Sequence, residues 1–341
     1  MNKQLGIFVS ILAGSLVSGL ASATPISYDL FYTTFSGGAN VNEVHVDYTG
    51  NGTAGNGVFS LTLNHNIAST GGADGIVFNP NNSRLLVGGQ GNAVHEVNPT
   101  TGAFTTATPG VNAFHLAVDP SLMIVWVSSI PGALASMPIS PNLSGPGTIL
   151  TLSGDDTAIT SLAFTPSNGV FYTSGGSGGF GSFGSINLTT GVTTRILTNV
   201  PAAHGMQFDP FSGNLILDGS NQVSQINPAA PGVIISTATF AGMTFDQGAA
   251  DGLGHLFIAS NTGTLLFLDY STTSLVGSPL NFSALPFLAS SLDDVAPLIG
   301  AGGTGCGQAG QPACRTPEPS PLLLMGIGAA GLLWLRRRRT M

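Results

Sequence analysis

One short pattern recurs along this chain and restricts its fold more than any other feature. An apolar stretch runs into a turn at Gly75-Ile-Val-Phe-Asn-Pro80, Leu116-Ala-Val-Asp-Pro120, Leu162-Ala-Phe-Thr-Pro166 and Met206-Gln-Phe-Asp-Pro210. A degenerate copy is Met243-Thr-Phe-Asp-Gln247, and a last one is Asp294-Val-Ala-Pro297. The intervals are 40, 46, 44, 37 and 50 residues. A period of this length is the mark of a repeat architecture, in which each unit buries its apolar faces only by stacking on its neighbours.

The intervals are filled with further strand-length runs. After Pro80 come Arg84–Val87, Ala93–Val97 and Ala103–Thr106, parted by Gly-Gly-Gln-Gly-Asn and Pro-Thr-Thr-Gly. After Pro210 come Asn214–Leu217, Val223–Ile226 and Val233–Ser236. Short apolar runs bounded by Gly, Pro, Asn and Asp read as antiparallel strands. No helical period of comparable length appears between Thr24 and Pro297. Four strands in about 43 residues is the sequence form of a β-propeller blade.

Six anchors predict six innermost strands. The last has no room for three more strands behind it. The first is preceded by three strand-like runs, Ile26–Phe35, Val44–Tyr48 and Val58–Leu63. The ring is therefore expected to close with one strand from the C-terminal side and three from the N-terminal side. The reading is all-β, a single six-bladed propeller over residues 24–299, with seven blades as the alternative if one anchor is lost. Closure leaves no long unpaired edge.

Composition narrows the role. Only 7% of the 341 residues are charged, against roughly 25% in typical soluble proteins. From Thr24 to Arg315 there are three basic residues (Arg84, Arg195, Arg315) against fifteen acidic ones, a balance of −12. Such a body lacks the basic stripe that nucleic-acid binding needs, so no nucleic-acid partner is expected. Interior apolar runs are too short and too interrupted for a multi-span membrane protein.

Both ends stand apart from the repeat. Residues 1–23 read as a signal peptide: Lys3 is followed by an apolar stretch from Leu5 to Leu20, and Ala21-Ser22-Ala23 fits small-x-small cleavage before Thr24. Residues 300–315 form a Gly-rich linker carrying Cys306 and Cys314, the two cysteines of the chain. In an oxidising compartment this pair is expected to close a local disulfide loop. Residues 316–341 contain Pro317, Glu318 and Pro319, then an uncharged run at 322–335, then Arg336, Arg337, Arg338 and Arg339. Fourteen residues make a helix of about 21 Å, short for a hydrocarbon core of roughly 30 Å. The arginines stay on the cytoplasmic side, which places the body outside the inner membrane.

This Pro-Glu-Pro, apolar helix and arginine cluster resembles the PEP-CTERM sorting signal. The resemblance covers about the last 25 residues and implies a Gram-negative host that makes exopolysaccharide or biofilm matrix. It implies recognition by an exosortase and the secretion machinery, a transient stay in the inner membrane, and release or transfer of the cargo. It implies nothing about the body. The repeat itself loosely resembles NHL/YncE-like and SMP-30-like propellers in its apolar-Asp-Pro turns and Asn-Pro-Thr-Thr-Gly hairpin; no catalytic residue is carried over from it.

The strongest chemical constellation is positional. Asp74, His115, His204 and Asp293 all lie at or just before an innermost strand. In a propeller such positions line the central channel, so the four could converge near one mouth. Two imidazoles and two carboxylates can hold a divalent metal or serve as acid/base groups; they can equally be polar plugs bonded to loop backbone.

Other motifs carry less. Gly179-Phe-Gly181-Ser-Phe-Gly184 and Gly175-Gly-Ser177-Gly-Gly179 match a dinucleotide fingerprint and a nucleophile elbow in letters, but no helix follows either, and they read as an inter-strand loop. Asp47-Tyr-Thr-Gly-Asn51-Gly52 has Val58 where a calcium loop needs its bidentate glutamate, and reads as a hairpin turn. His45, His65, His95 and Glu96 read as surface residues of strands or turns, and Asp155-Asp156 as a solvated turn. No cofactor is expected unless a divalent metal sits at the channel mouth. The expected role is a surface- or matrix-targeted binding or structural propeller, with polysaccharide or envelope components as partners. The alternative is an extracytoplasmic metal-dependent lactonase or lyase.

Overall fold

The structure, a computed structural model, describes residues 26–129, 133–175, 180–201, 203–277 and 281–296. The expected signal peptide (1–23), Gly/Cys linker with Cys306 and Cys314 (300–315), and sorting segment (316–341) lie outside the described residues. Among the described residues there is no helix.

Six sheets stand in a ring. Blade 1 begins at Ile76–Asn79, blade 2 at Leu116–Val118, blade 3 at Ser161–Phe164, blade 4 at Ala203–Asp209, blade 5 at Phe245–Ala250 and blade 6 at Leu292–Val295. Each of these strands touches the corresponding strand of the next blade, and that of blade 6 touches that of blade 1. They form the wall of a central channel. In blades 1, 2, 4 and 5 three further antiparallel strands follow outward in chain order. Blade 3 adds a fifth short strand, Ser153–Gly154, which pairs parallel with Val192–Pro201. The count is six; the seven-blade alternative is set aside.

Blade 6 is composite. Leu292–Val295 pairs with Ile26–Thr34, which pairs with Val41–Gly50, which pairs with Gly57–Ala68. The seam is reinforced where Ala296 N–H donates to Phe31 O (2.8 Å) and the Thr33 hydroxyl donates to Asp74 O in blade 1 (2.7 Å). The ring is thus fastened by pairing the first described strand, Ile26–Thr34, with the last, Leu292–Val295.

The core has six parts, one between each pair of neighbouring blades. Every blade is covered on both faces, which explains why its inner strands read as continuous apolar runs instead of alternating. Asn214–Gly219 is buried throughout, whereas Phe104–Ala107 at the outer edge of blade 1 is largely exposed. Between blades 5 and 6, Phe59 stacks on Phe267 at 4.4 Å, and Tyr48 packs on Phe267 at 4.5 Å.

The recurrent turn has a local cause. In the first anchor the Asn79 side-chain oxygen accepts from Asn81 N–H (3.0 Å), and in the fourth Asp209 accepts from Phe211 N–H (3.1 Å) and Ser212 N–H (3.2 Å). An Asx residue followed by Pro folds the inner strand back on its neighbour. The Asn-x-Thr-Thr-Gly hairpins of blades 1 and 3 work alike: Asn98 and Asn187 each accept from two following N–H groups, and Gly102 and Gly191 take positive φ.

Several sequence expectations are corrected. The degenerate anchor at Met243–Gln247 is not a turn: Phe245–Ala250 is the inner strand of blade 5, and its turn is Asp251–Gly254, where Asp251 accepts from Leu253 N–H (2.7 Å). With Asp251 as the turn residue, the fourth interval becomes 42 residues, in line with the others. Phe180–Gly184 is not loop but part of the third strand of blade 3. His95 and Glu96 are not surface residues: they are 6% and 1% exposed, in a strand covered by blade 2. Asp156 is not a solvated turn residue, since it accepts from Tyr172 OH (2.6 Å) and Ser182 Oγ (2.9 Å) and pairs with Arg195 (2.6 Å). His45 and His65 do lie toward the surface, beside Asp29 (2.8 Å) and Glu43 (3.3 Å) respectively.

Candidate functional site at the channel mouth

The start of each inner strand faces the channel. Counting back five residues from the turn Asx gives Asp74 in blade 1, His204 in blade 4 and Asp246 in blade 5. One residue further along in blade 2 is His115. Blade 6 contributes Asp293 and Asp294. Asp74, His115, His204 and Asp293 line one cavity of about 300 Å³, together with Asp246, Gln90, Asn261, Phe35 and Phe114. The four positions singled out from sequence therefore share one chamber, which Asp246 also lines, while fully buried Asp294 approaches His115 from outside that lining.

The separations are short. His115 Nδ1 is 3.9 Å from Asp74 Oδ1 and 3.5 Å from Asp294 Oδ2; its Nε2 is 3.8 Å from Asp246 Oδ1. His204 Nδ1 is 3.2 Å from the same Asp246 oxygen. The two imidazole rings stand 5.4 Å apart, tilted by 61°. Backbone holds them there. Gly75 N–H donates to Phe114 O (2.8 Å), and Gln90 N–H donates to Ala113 O (2.8 Å), so the strand that presents Asp74 is tied to the one that presents His115. A Cβ on Gly75 would lie 2.3 Å from Phe114 O; the close approach requires glycine.

Second partners fix some carboxylates. Gln90 Nε2 donates to Asp74 Oδ2 (3.3 Å), Asn261 Nδ2 to Asp246 Oδ2 (3.4 Å) and Gln247 N–H to Asp294 Oδ1 (2.7 Å). Other buried atoms have no hydrogen-bond partner among the described residues: both ring nitrogens of His115, His204 Nε2, Asp293 Oδ2 and Asp294 Oδ2. His115 is 3% exposed.

Burial and crowding set the protonation tendencies. Burial, then the neighbouring Asp294, pushes Asp74 up to about 7. Burial and adjacent carboxylates hold Asp293 and Asp294 well above the usual range. Asp246 also loses water by burial, but its hydrogen bond to His204 and the two imidazoles outweigh that and bring it down to about 2. Three of the four carboxyls thus tend to keep their protons, and a cation placed among them would favour their ionised form.

Two sets of donor atoms have the compactness a cation requires: His115, His204 and Asp246, and Asp74, His115 and Asp294, with atoms in each set within 4.8 Å of one another. Mixed imidazole and carboxylate donors suit a first-row divalent ion.

Sequence reading missed Asp246 because it stands there as the turn residue of the degenerate anchor, and Asp294 because it stands there simply as the first residue of the last anchor strand. The signal that finds Asp246 is register: it sits five residues before Asp251, as Asp74 does before Asn79 and His204 before Asp209. Gln90, Asn261, Phe35 and Phe114 carry no such signal, since loops from separate blades bring them in.

Fold and site together define a six-bladed propeller with a buried His/Asp cluster at its channel mouth. Residues 315–339 match the family model described as the PEP-CTERM protein-sorting motif. The chain therefore carries the PEP-CTERM sorting motif, which marks it for export and for processing at its C-terminus by an exosortase. No curated protein sequence matches the chain. Among solved structures, a gluconolactonase of Xanthomonas campestris is similar with a TM-score of 0.51 at 12% identity, over 83% of this chain and 93% of that one. A calcium-binding regucalcin of Agrobacterium tumefaciens gives 0.47 at 16% identity, over 66% and 77%. A PQQ-bound aldose sugar dehydrogenase of Streptomyces coelicolor gives 0.46 at 15%, over 67% and 85%. At these identities the likeness is one of fold.

Proposed function

We propose that this chain is an exported propeller, delivered to the cell surface or extracellular matrix after C-terminal processing, whose channel mouth holds a divalent metal ion and binds a small oxygen-rich ligand there. The observation that carries the reading is the set of buried, unpartnered imidazole nitrogens on His115 and His204 beside buried carboxylates. Each unpartnered buried polar group costs about 1–3 kcal/mol, and a cation partners several at once. Phe35 and Phe114 offer apolar walls to the chamber, and Gln90 and Asn261 offer amides. Monosaccharide-sized ligands of the matrix suit that lining.

Elemental analysis of the exported protein after dialysis tests the reading. At least one tightly held divalent ion per chain is expected, with content falling in His204→Ala. Metal-free protein, or content untouched by that change, refutes it.

A second reading is turnover of a cyclic ester, as in the gluconolactonase that shares the fold. The size of the chamber beside the cluster favours it. A bound metal held by His204 and Asp246 would polarise a carbonyl oxygen and activate a water for attack on it. Hydrolysis of a panel of sugar lactones, compared between the parent and His204→Ala, separates turnover from binding: hydrolysis lost in the variant supports turnover, and no hydrolysis by the parent leaves binding alone.

A further inference from the structure

We propose that the channel mouth takes two divalent ions, one on each side of the His115 ring, with the imidazole as the bridge between them. This rests on the metal-site reading above and extends it.

The imidazole ring sets the geometry. The lone pairs of Nδ1 and Nε2 point away from each other in the ring plane, so one ion cannot be liganded by both. Each nitrogen of His115 nevertheless faces acidic oxygens of its own. Nδ1 faces Asp74 and Asp294; Nε2 faces Asp246, which in turn meets His204. Neither nitrogen has a hydrogen-bond partner among the described residues, and the residue is buried. A structural histidine bonds at least one nitrogen, and an ordinary metal-binding histidine bonds the second to a carboxylate or carbonyl. His115 does neither, while carboxylates wait on both sides.

The distances admit an ion on each side. Ligand atoms about 2.1 Å from one ion lie at most about 4.2 Å apart. The separations of 3.9 and 3.5 Å on the Nδ1 side, and of 3.8 and 3.2 Å on the Nε2 side, fall within that limit. The two donor sets share His115 and nothing else.

Charge agrees. Asp74, Asp246, Asp293 and Asp294 gather four carboxylates in one buried cluster, and no lysine or arginine lines the cavity. When all four are ionised and the bridge is an imidazolate, the cluster carries five negative charges, of which two divalent ions offset four and one ion only two. A neutral imidazole carries one ring N–H. When the second ion binds, that N–H bond breaks, its electron pair becomes the new metal bond, and the proton leaves to solvent. The Nε2 set, with two imidazoles and one carboxylate, suits zinc; the Nδ1 set, richer in oxygen, accepts zinc or a harder ion.

The test is metal stoichiometry on the full chain purified after export, stripped with chelator and reloaded with Zn²⁺ alone. Two zinc ions per chain are expected. One ion overturns the bridge and leaves the single-metal reading standing; none overturns both. Asp294→Asn keeps an acceptor for Gln247 N–H and removes a charged ligand from the Nδ1 side. His204→Gln removes a ligand from the Nε2 side. Each is expected to hold one ion. Loss of all zinc in either, or two ions retained in both, refutes two separate sides. If Asp294→Asn fails to fold by circular dichroism, Asp74→Asn reads the same side. Loading with Cu²⁺ gives an independent signature: a magnetically coupled pair in the electron paramagnetic resonance spectrum, replaced by uncoupled copper in His115→Gln. An uncoupled spectrum from the parent at two coppers per chain also refutes the bridge.

Discussion

Glu96 fastens blade 1 to the long loop of blade 2, and its removal should be among the costlier polar changes in the ring. One oxygen, Oε1, accepts from Asn79 Nδ2 (2.8 Å), Asn82 Nδ2 (2.9 Å) and Leu143 N–H (3.1 Å). Glu96→Ala removes all three bonds. Asn82 Nδ2 keeps Pro141 O and Asn142 Oδ1 (both 3.0 Å), but fully buried Asn79 Nδ2 keeps only Ile139 O (2.8 Å) and strands its second hydrogen. Leu143 N–H loses its acceptor. Two stranded donor hydrogens cost about 1–3 kcal/mol each, and the one lost methylene adds about 0.8 kcal/mol. At the low end of these ranges the total is about 3 kcal/mol. Glu96→Gln retains a carbonyl oxygen that can accept all three bonds, so it loses only the charge assistance, about 1 kcal/mol. For a domain of this size, 1 kcal/mol moves Tm by roughly 2–4 °C. The expected drops are about 10 °C for alanine and about 3 °C for glutamine, read by thermal denaturation followed by circular dichroism. Equal drops for the two variants would refute the account, because they would mean that the accepting oxygen does not matter.

Further outcomes follow from the same reasoning. Burial pulls His255 down, but Asp251 at 2.6 Å and Asp269 at 3.8 Å outweigh it, so its folded value lies above 6.5. Its contribution should be complete below pH 6.5 and fade as pH rises through the folded value; denaturant titrations of parent and His255→Asn should converge at alkaline pH. Asp156 resists desolvation through Arg195, Tyr172 and Ser182, and lies below 3.8 when folded. The parent's advantage over Asp156→Asn should be present above pH 3.8 and vanish as pH falls through the folded value, which acid denaturation curves measure. Gly75→Ala sets a methyl against Phe114 O and the His115 backbone; both lower Tm and lower metal content are expected, and normal values for both would show that the backbone yields.

The fold was legible because its turns are local chemistry. Asn79-Pro80, Asp119-Pro120 and Asp209-Pro210 announce the end of an inner strand whatever lies beside it. The three strand-like runs before Gly75 and the single one after Leu292 foretold the composite blade. Where the turn residue changes, legibility fails: Asp251-Gly252 does the work of an Asp-Pro pair, and Asp246 was mistaken for it. Phe180–Gly184 was hidden by its glycines, which lie close against blade backbone instead of forming a loop: a Cβ on Gly181 would meet Ser174 O at 1.9 Å. His95 and Glu96 look like surface residues in isolation, since burial by a neighbouring blade is not encoded near them.

The sequence by itself determined the period, the strand-length runs, the all-β class, the ring closure and the sorting motif, because each depends on residues within one turn, one strand or one terminal segment. It also put Asp74, His115, His204 and Asp293 at the head of inner strands. Tertiary structure decided what those positions make. Residues more than two hundred apart in the chain, Asp74 and Asp294, meet within reach of one imidazole only because six sheets curve into a closed ring. The unpaired nitrogens of His115 and the crowding of carboxylates around them arise from that closure, since five of the six blades supply one or two groups each and none of the blades holds the set.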